Sequence, residues 1–221
     1  MPSTHLIIFS DLDGTLLDTK NYSYEKAQPA LRSIKKSKIP LVLCSSKTRS
    51  ELEFYRNLLE NSDPFIVENG GGIYIPKDYL PFPIDFDRVS SEYFVIDLGV
   101  PYKTIVKTLN GYKKKGISLR GFSDMTAEEI SSICNIPLDQ ARLAKQREYD
   151  EPFLILEDRR AIPIEDVTGI RCTQGDRFYH LSSRAYRFGF RYRYGNGGKI
   201  GSRYGHFKGI HSPPRHRAQR C

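Results

Sequence analysis

The 221-residue chain has no tryptophan, only two methionines and four cysteines, and no unbroken apolar run of about 18 residues. The missing apolar run excludes a membrane-spanning helix. The opening Met-Pro-Ser-Thr-His lacks the basic and apolar regions of a secretory signal, so a cytoplasmic location is expected. Cys44, Cys134, Cys172 and Cys221 are scattered with no CxxC pair, a pattern that suits reduced thiols better than a disulfide framework or structural zinc. Acidic residues are absent beyond Asp176. Ten of the 34 Lys/Arg and none of the 26 Asp/Glu fall in 183–221, which leaves 24 basic against 26 acidic residues in 1–182. The net charge of +8 therefore belongs to the tail. The body carries no electrostatic case for nucleic acid.

What is present in the first 85 residues is an alternation of strand and helix patterns, the mark of a doubly wound α/β sheet. Strands are expected at 6–10, 39–44 and 65–67, with helices at 24–36 and 48–61 between them. Asn69-Gly70-Gly71-Gly72 turns the chain into 73–75 as a hairpin. From about residue 88 a second β-α-β-α-β run follows, with strands near 93–98, 118–122 and 153–156. Its helices lie near 102–115 and 138–146, and a Thr126-Ala-Glu-Glu129 capping box opens a further one. The expected organisation is an N-terminal core part (1–87), an inserted α+β cap (88–169), a return to the core (170–182) and an atypical basic tail (183–221). The tail has no Leu, Val or Met to build a packed face, so it is expected to be disordered or a product of reading out of frame.

The chemistry concentrates in Leu6-Ile7-Ile8-Phe9-Ser10-Asp11-Leu12-Asp13-Gly14-Thr15. The continuous apolar run suits a strand covered on both faces. Two unpartnered carboxylates at its end would each cost several kcal/mol to desolvate, so they need a cation, an opening to water, or both. Ligands of open α/β sheets bind outside the carboxyl ends of the strands. Mg²⁺, which takes one or two carboxylates together with substrate oxygens and water, fits such a pair. Capping of the next turn is the plainer use of Asp11 and Asp13, but the whole strand-DLDGTLLD pattern favours catalysis.

With that motif the sequence resembles the haloacid-dehalogenase-like (HAD) phosphatases, whose first motif is DxDGT after a buried strand. The resemblance implies a Rossmann-like core with an inserted α+β cap. It implies Asp11 as the nucleophile that forms an aspartyl-phosphate, and Asp13 as the group that protonates the leaving oxygen and then activates water. Both would hold the metal. Ser45, ending the second core strand, would hydrogen-bond a phosphoryl oxygen, although a helix N-cap is its simpler role. "CSSKTRSELEFYR" (44–56), "FIVENGGGIYIP" (65–76) and "ARLAKQREYDEPF" (141–153) together look like the mannosyl-3-phosphoglycerate phosphatase group, a likeness running from about residue 5 to 181. It implies hydrolysis of mannosyl-3-phosphoglycerate to the compatible solute mannosylglycerate. Substrate contacts are implied for Thr15, Ser45, Ser46, Lys47, Arg49 and Asn69 at the core, and for Lys145, Gln146 and Arg147 in the cap. A solvated helix face is the alternative for the basic residues.

The partner expected is thus a small phosphorylated sugar-glycerate, with no membrane and no nucleic acid beyond weak contacts of the tail. Other sugar phosphates (glucosyl-3-phosphoglycerate, sucrose phosphate) are alternatives, and the Arg/Tyr-rich tail keeps single-strand nucleic-acid binding as a third. The resemblance departs after His180-Leu181. The lysine-bearing Gly-Asn-x-Asp-Lys-Gly stretch and the later Gly-Asp…Asn-Asp metal motif of the group are not found, and impaired activity is expected on that account.

Overall fold

The computed structural model describes residues 6–19, 21–156, 169–175 and 177–183. The chain divides into two units, Met1–Phe188 and Gly189–Cys221, and every described residue lies in the first. The tail expected from residue 183 therefore lies outside the described residues except for Ser183. No described helix is long and apolar enough to cross a membrane.

The first three strands, β1 (Ile8–Ser10), β2 (Leu41–Cys44) and β3 (Phe65–Val67), are parallel, joined through α1 (Gln28–Lys36) and α2 (Arg49–Leu58). Pro29 does not break α1 because it falls in the first turn, where the missing N–H has no helical partner to lose. Strand alternation sorts the side chains. Leu41, Leu43, Phe65 and Val67 face Leu31 and Ile34 of α1 and Leu52 and Tyr55 of α2, so both helices cover one face of the sheet. Val42, Cys44 and Ile66 form a smaller cluster with Ile73 on the opposite face.

β4 (Gly72–Pro76), β5 (Arg88–Ser90) and β6 (Tyr93–Asp97) extend this sheet antiparallel, giving the order β1-β2-β3-β4-β6-β5. β1 was expected inside the sheet. Instead it forms an edge among the described residues, with Leu6 54% and Ile7 50% exposed. Its continuous apolar run announces two-sided cover that the described residues do not supply.

The second sheet is antiparallel: β7 (Leu119–Gly121), β8 (Asp150–Ile155), β9 (Ile170–Gln174) and β10 (Tyr179–Ser183), in the order β7-β8-β10-β9. α3 (Tyr102–Lys114), α4 (Ala127–Cys134) and α5 (Leu138–Ala144) accompany it. Two stretches join other sheets than their expected places suggest. β6 pairs with β4 and β5 with β6, so residues 88–97 extend the first sheet. Residues 170–182 do not return to the first sheet: Leu181 stands opposite Glu151 of β8, and Ile170 and Leu181 are buried with Ile105, Leu109, Tyr112, Leu119 and Phe153. A β pattern marks a strand without saying which edge it joins, and here the β9–β10 hairpin satisfies its backbone on β8.

Candidate active site

The loop after β1 is fixed by its own backbone. The N–H groups of Thr15, Leu16 and Leu17 all donate to Leu12 O, at 3.2, 3.0 and 2.8 Å. Leu12 and Leu17 anchor this turn in the core at 0% and 2% exposure, leaving Asp11, Asp13 and Thr15 on the open side. Gly14 holds φ +74°, a left-handed conformation that glycine adopts without penalty. Asp11 Oδ1 accepts from Leu12 N at 2.7 Å, so this carboxylate does cap the turn. Burial raises the Asp11 pKa above the ordinary carboxylate value and the Asp13 charge adds to it, against the Leu12 N–H and Lys47. The residue is still solvent-exposed, so the desolvation is partial.

Ser10 stands opposite Leu43, so Asp11 and Cys44 leave the sheet side by side and Ser45 follows at once. The Cys44 thiol is pushed up to about 12, first by burial and then by the Asp11 charge. Ser45 is buried; its Oγ accepts from Lys47 N at 3.2 Å, and Ser46 is exposed. Lys47 turns back over the acidic loop, with Nζ 3.1 Å from Asp13 Oδ1 and 3.9 Å from Glu51 Oε1. The rings of Tyr22 and Tyr55 stand at 5.2 and 5.4 Å from the ammonium, within cation–π range. Burial alone would lower the Lys47 pKa, but Glu51 and Asp13 outweigh it and the net shift is upward. Lys47 is therefore a fixed cation beside the carboxylate pair.

The other expected site residues face elsewhere. Asn69 Nδ2 donates to Asp150 Oδ2 at 3.0 Å. Arg49 pairs with Glu53 and Glu148, each at 3.0 Å. Gln146 Oε1 accepts from Ser50 Oγ at 2.7 Å, and Lys145 Nζ bonds the Met125 carbonyl. Arg147 is buried, 3.7 Å from Glu68 and 3.6 Å from Asp150. The structure thus places Asp11, Asp13 and Thr15 just past β1 and Ser45, Ser46 and Lys47 just past the neighbouring parallel strand β2. Arg49, Asn69, Gln146 and Arg147 sit instead in contacts linking the first sheet and α2 to the α5–β8 region, and Lys145 bonds within the second region.

Sequence reading missed the partners of these groups: Glu51, Tyr22 and Tyr55 around Lys47, and Glu68 and Asp150 around Arg147. Glu68 carried a readable signal, being a carboxylate placed directly after the buried strand Phe65-Ile66-Val67, as Asp11 is after β1. Its carboxylate accepts from the N–H groups of Glu148, Tyr149 and Asp150, all at 2.8 Å. Burial nevertheless pushes its pKa up to about 7, against the nearby Arg147 charge.

Among the described residues no three His, Cys, Asp or Glu side chains form a ready metal cage. Asp11 and Asp13 make the two-carboxylate partial set that Mg²⁺ accepts when phosphate and water complete the shell, so the donor chemistry fits that ion.

Residues 8–98 match the family model described as haloacid dehalogenase-like hydrolase. Over 180 residues the chain is 44% identical to a glucosyl-3-phosphoglycerate/mannosyl-3-phosphoglycerate phosphatase of Methanococcoides burtonii, a match that covers 79% of this chain and 66% of the relative. It is 39% identical over 173 residues to a mannosyl-3-phosphoglycerate phosphatase of Pyrococcus furiosus, covering 78% and 70%. The fold resembles the crystal structure of a haloacid dehalogenase-like hydrolase from Bacteroides thetaiotaomicron, with TM-score 0.53 at 16% identity, covering 81% of this chain and 71% of that one. The chain thus spans about two thirds of the length of the curated relatives it matches.

Proposed function

The chain belongs to the haloacid dehalogenase-like hydrolases, alongside the named mannosyl-3-phosphoglycerate phosphatases, and on that premise we propose that it is a phosphatase cleaving mannosyl-3-phosphoglycerate to mannosylglycerate and phosphate. The observation that carries this reading is Asp11 and Asp13 at the end of β1, with the Lys47 ammonium 3.1 Å from Asp13. Glucosyl-3-phosphoglycerate is the second reading, favoured by the double name of the 44% identical relative.

In the mechanism, Asp11 attacks phosphorus with a carboxylate oxygen. The P–O ester bond breaks, and Asp13 donates a proton to the departing glycerate oxygen. Asp13, now ionised, takes a proton from water as that water attacks the phosphorus of the aspartyl-phosphate, returning Asp11 and releasing phosphate. Ser45 holds a phosphoryl oxygen, while Lys47 keeps Asp13 in place and adds positive charge where negative charge develops. Asp11 and Asp13 would hold Mg²⁺, which when bound supplies neutralisation of phosphoryl oxygens. The second sheet with α3–α5 works as the cap that limits water at the reacting phosphate.

Borohydride trapping tests the covalent step. With chain, Mg²⁺ and mannosyl-3-phosphoglycerate together, reduction of the aspartyl-phosphate should convert Asp11 to homoserine, located by peptide mass spectrometry. Turnover with Asp11 unmodified would overturn the mechanism. Initial rates with the mannosyl and glucosyl esters decide the substrate.

A further inference from the structure

Ser45, Ser46 and Lys47 present three successive carbonyls to one buried cluster. Ser45 O accepts from Asn69 N at 2.9 Å and Lys47 O from Glu68 N at 3.0 Å. Ser46 O accepts from Arg147 Nη1 at 3.2 Å. The side chains of Glu68 and Asp150 are fully buried, and that of Arg147 is 4% exposed. The guanidinium lies between the two carboxylates, and its Nε donates to Asp150 O at 3.2 Å. Asn69 Nδ2 bonds Asp150 Oδ2 at 3.0 Å, and His180 Nδ1 of β10 stands 3.1 Å from the same oxygen. Glu68 and Asn69 hold φ of +46° and +61°, a region that non-glycine residues occupy at a cost and keep only when their surroundings over-determine it. The three N–H donors on the Glu68 carboxylate and the Asn69–Asp150 bond provide that constraint.

A buried ionic cluster is weak evidence for stability, because apolar residues of the same volume often serve as well. Apolar residues cannot hold a loop carbonyl while locked to two acids, whereas the planar guanidinium with its fixed fork of donors can. We propose that Arg147 is a positioning residue. By gripping the Ser46 carbonyl from its place between Glu68 and Asp150, it sets the Ser45–Lys47 loop and ties that loop to the start of β8. The role in catalysis rests on the phosphatase reading; the role in loop geometry does not. Ser45 and Lys47 act on phosphate and Asp13 through this loop, and a displacement of about 1 Å at such groups costs on the order of 10²-fold in rate.

The test compares the chain with Arg147→Lys and Glu68→Gln. Lysine keeps a charge between the acids but loses the fork; glutamine keeps the volume but removes the acid facing Arg147. Each variant should retain cooperative unfolding and speed amide hydrogen exchange in residues 44–50, with exchange in α3 and β6 unchanged. With Mg²⁺ and mannosyl-3-phosphoglycerate, kcat should fall about 10- to 100-fold while KM stays near the parent value, the pattern of an interaction needed in the transition state. Unchanged loop exchange in a folded variant would overturn the proposal, and so would faster exchange spread evenly over the molecule. If Arg147→Lys fails to fold, Glu68→Gln decides on the same readouts. Absence of Asp11-dependent turnover in the parent chain would remove the phosphatase reading alone, and the exchange comparison would still decide the positioning role.

Discussion

Lys47 is held from four sides, by Asp13, Glu51 and the rings of Tyr22 and Tyr55, and this enclosure makes its charge a fixed part of the candidate site. Lys47→Met should lower kcat/KM about 10²- to 10³-fold, the range typical for loss of one aligned electrostatic group. Lys47→Arg should restore little, because a planar fork does not fit where a compact ammonium sits between two rings. Steady-state kinetics of the two variants check both statements, and parent-like kcat/KM in Lys47→Met would refute them. The places of Asp11, Asp13, Ser45 and Lys47 just past strand ends were legible in the sequence because each follows an apolar strand pattern. Asn69 and Arg147 were read as substrate contacts and have other partners. A charged letter in a sequence gives no direction, and the acids that claim these two, Asp150 and Glu68, are far from at least one of them along the chain.

At the scale of elements, two capping boxes open helices with the same chemistry in different settings. Thr126 caps α4 in solvent, bonding Glu129 N at 3.2 Å. Thr48 caps α2 while buried, and its hydroxyl also donates to Leu143 O at the end of α5 at 2.9 Å. Thr126→Ala should cost about 1 kcal/mol. Thr48→Ala should cost about 2 kcal/mol, since it also leaves a part-buried carbonyl without its donor. Equal shifts in denaturant midpoint would refute the difference. Among the described residues β1 is an edge strand, and an exposed apolar edge is a template for pairing. Ile7→Lys should reduce concentration-dependent association measured by sedimentation, and an unchanged profile would refute that. The start of α4 was readable through its Thr126–Glu129 capping box. The pairing of β9 and β10 was not, because sheet membership depends on which edge is free in space, and a short β pattern such as Ile170–Gln174 fits either sheet.

For the whole molecule, the buried acids set the pH dependence of stability. Glu68 titrates near 4.5 in a free chain and about 7 when folded, burial being the chief cause. Between those values the folded state keeps a proton that the unfolded chain has released. Stability therefore falls as pH rises from about 4.5 to about 7 and levels off above that. Glu151, also raised chiefly by burial, adds in the same direction. The thermal midpoint should be several degrees lower at pH 8 than at pH 5, and Glu68→Gln should flatten most of that slope. A midpoint that climbs over this range would contradict the assignment. The two-sheet organisation followed from the strand–helix alternation. The junction between the sheets did not, because it is made by pairs such as Glu68 with Tyr149 N and Asn69 with Asp150, which bring distant parts of the chain together.

The measurement that bears most directly on the central claim is phosphate release from mannosyl-3-phosphoglycerate with Mg²⁺, comparing the chain with Asp11→Asn. The carboxylate-to-amide change keeps size and removes the nucleophile, so release should drop by about 10³-fold or more. Equal rates from the two proteins would contradict a nucleophilic Asp11 and with it the proposed reaction.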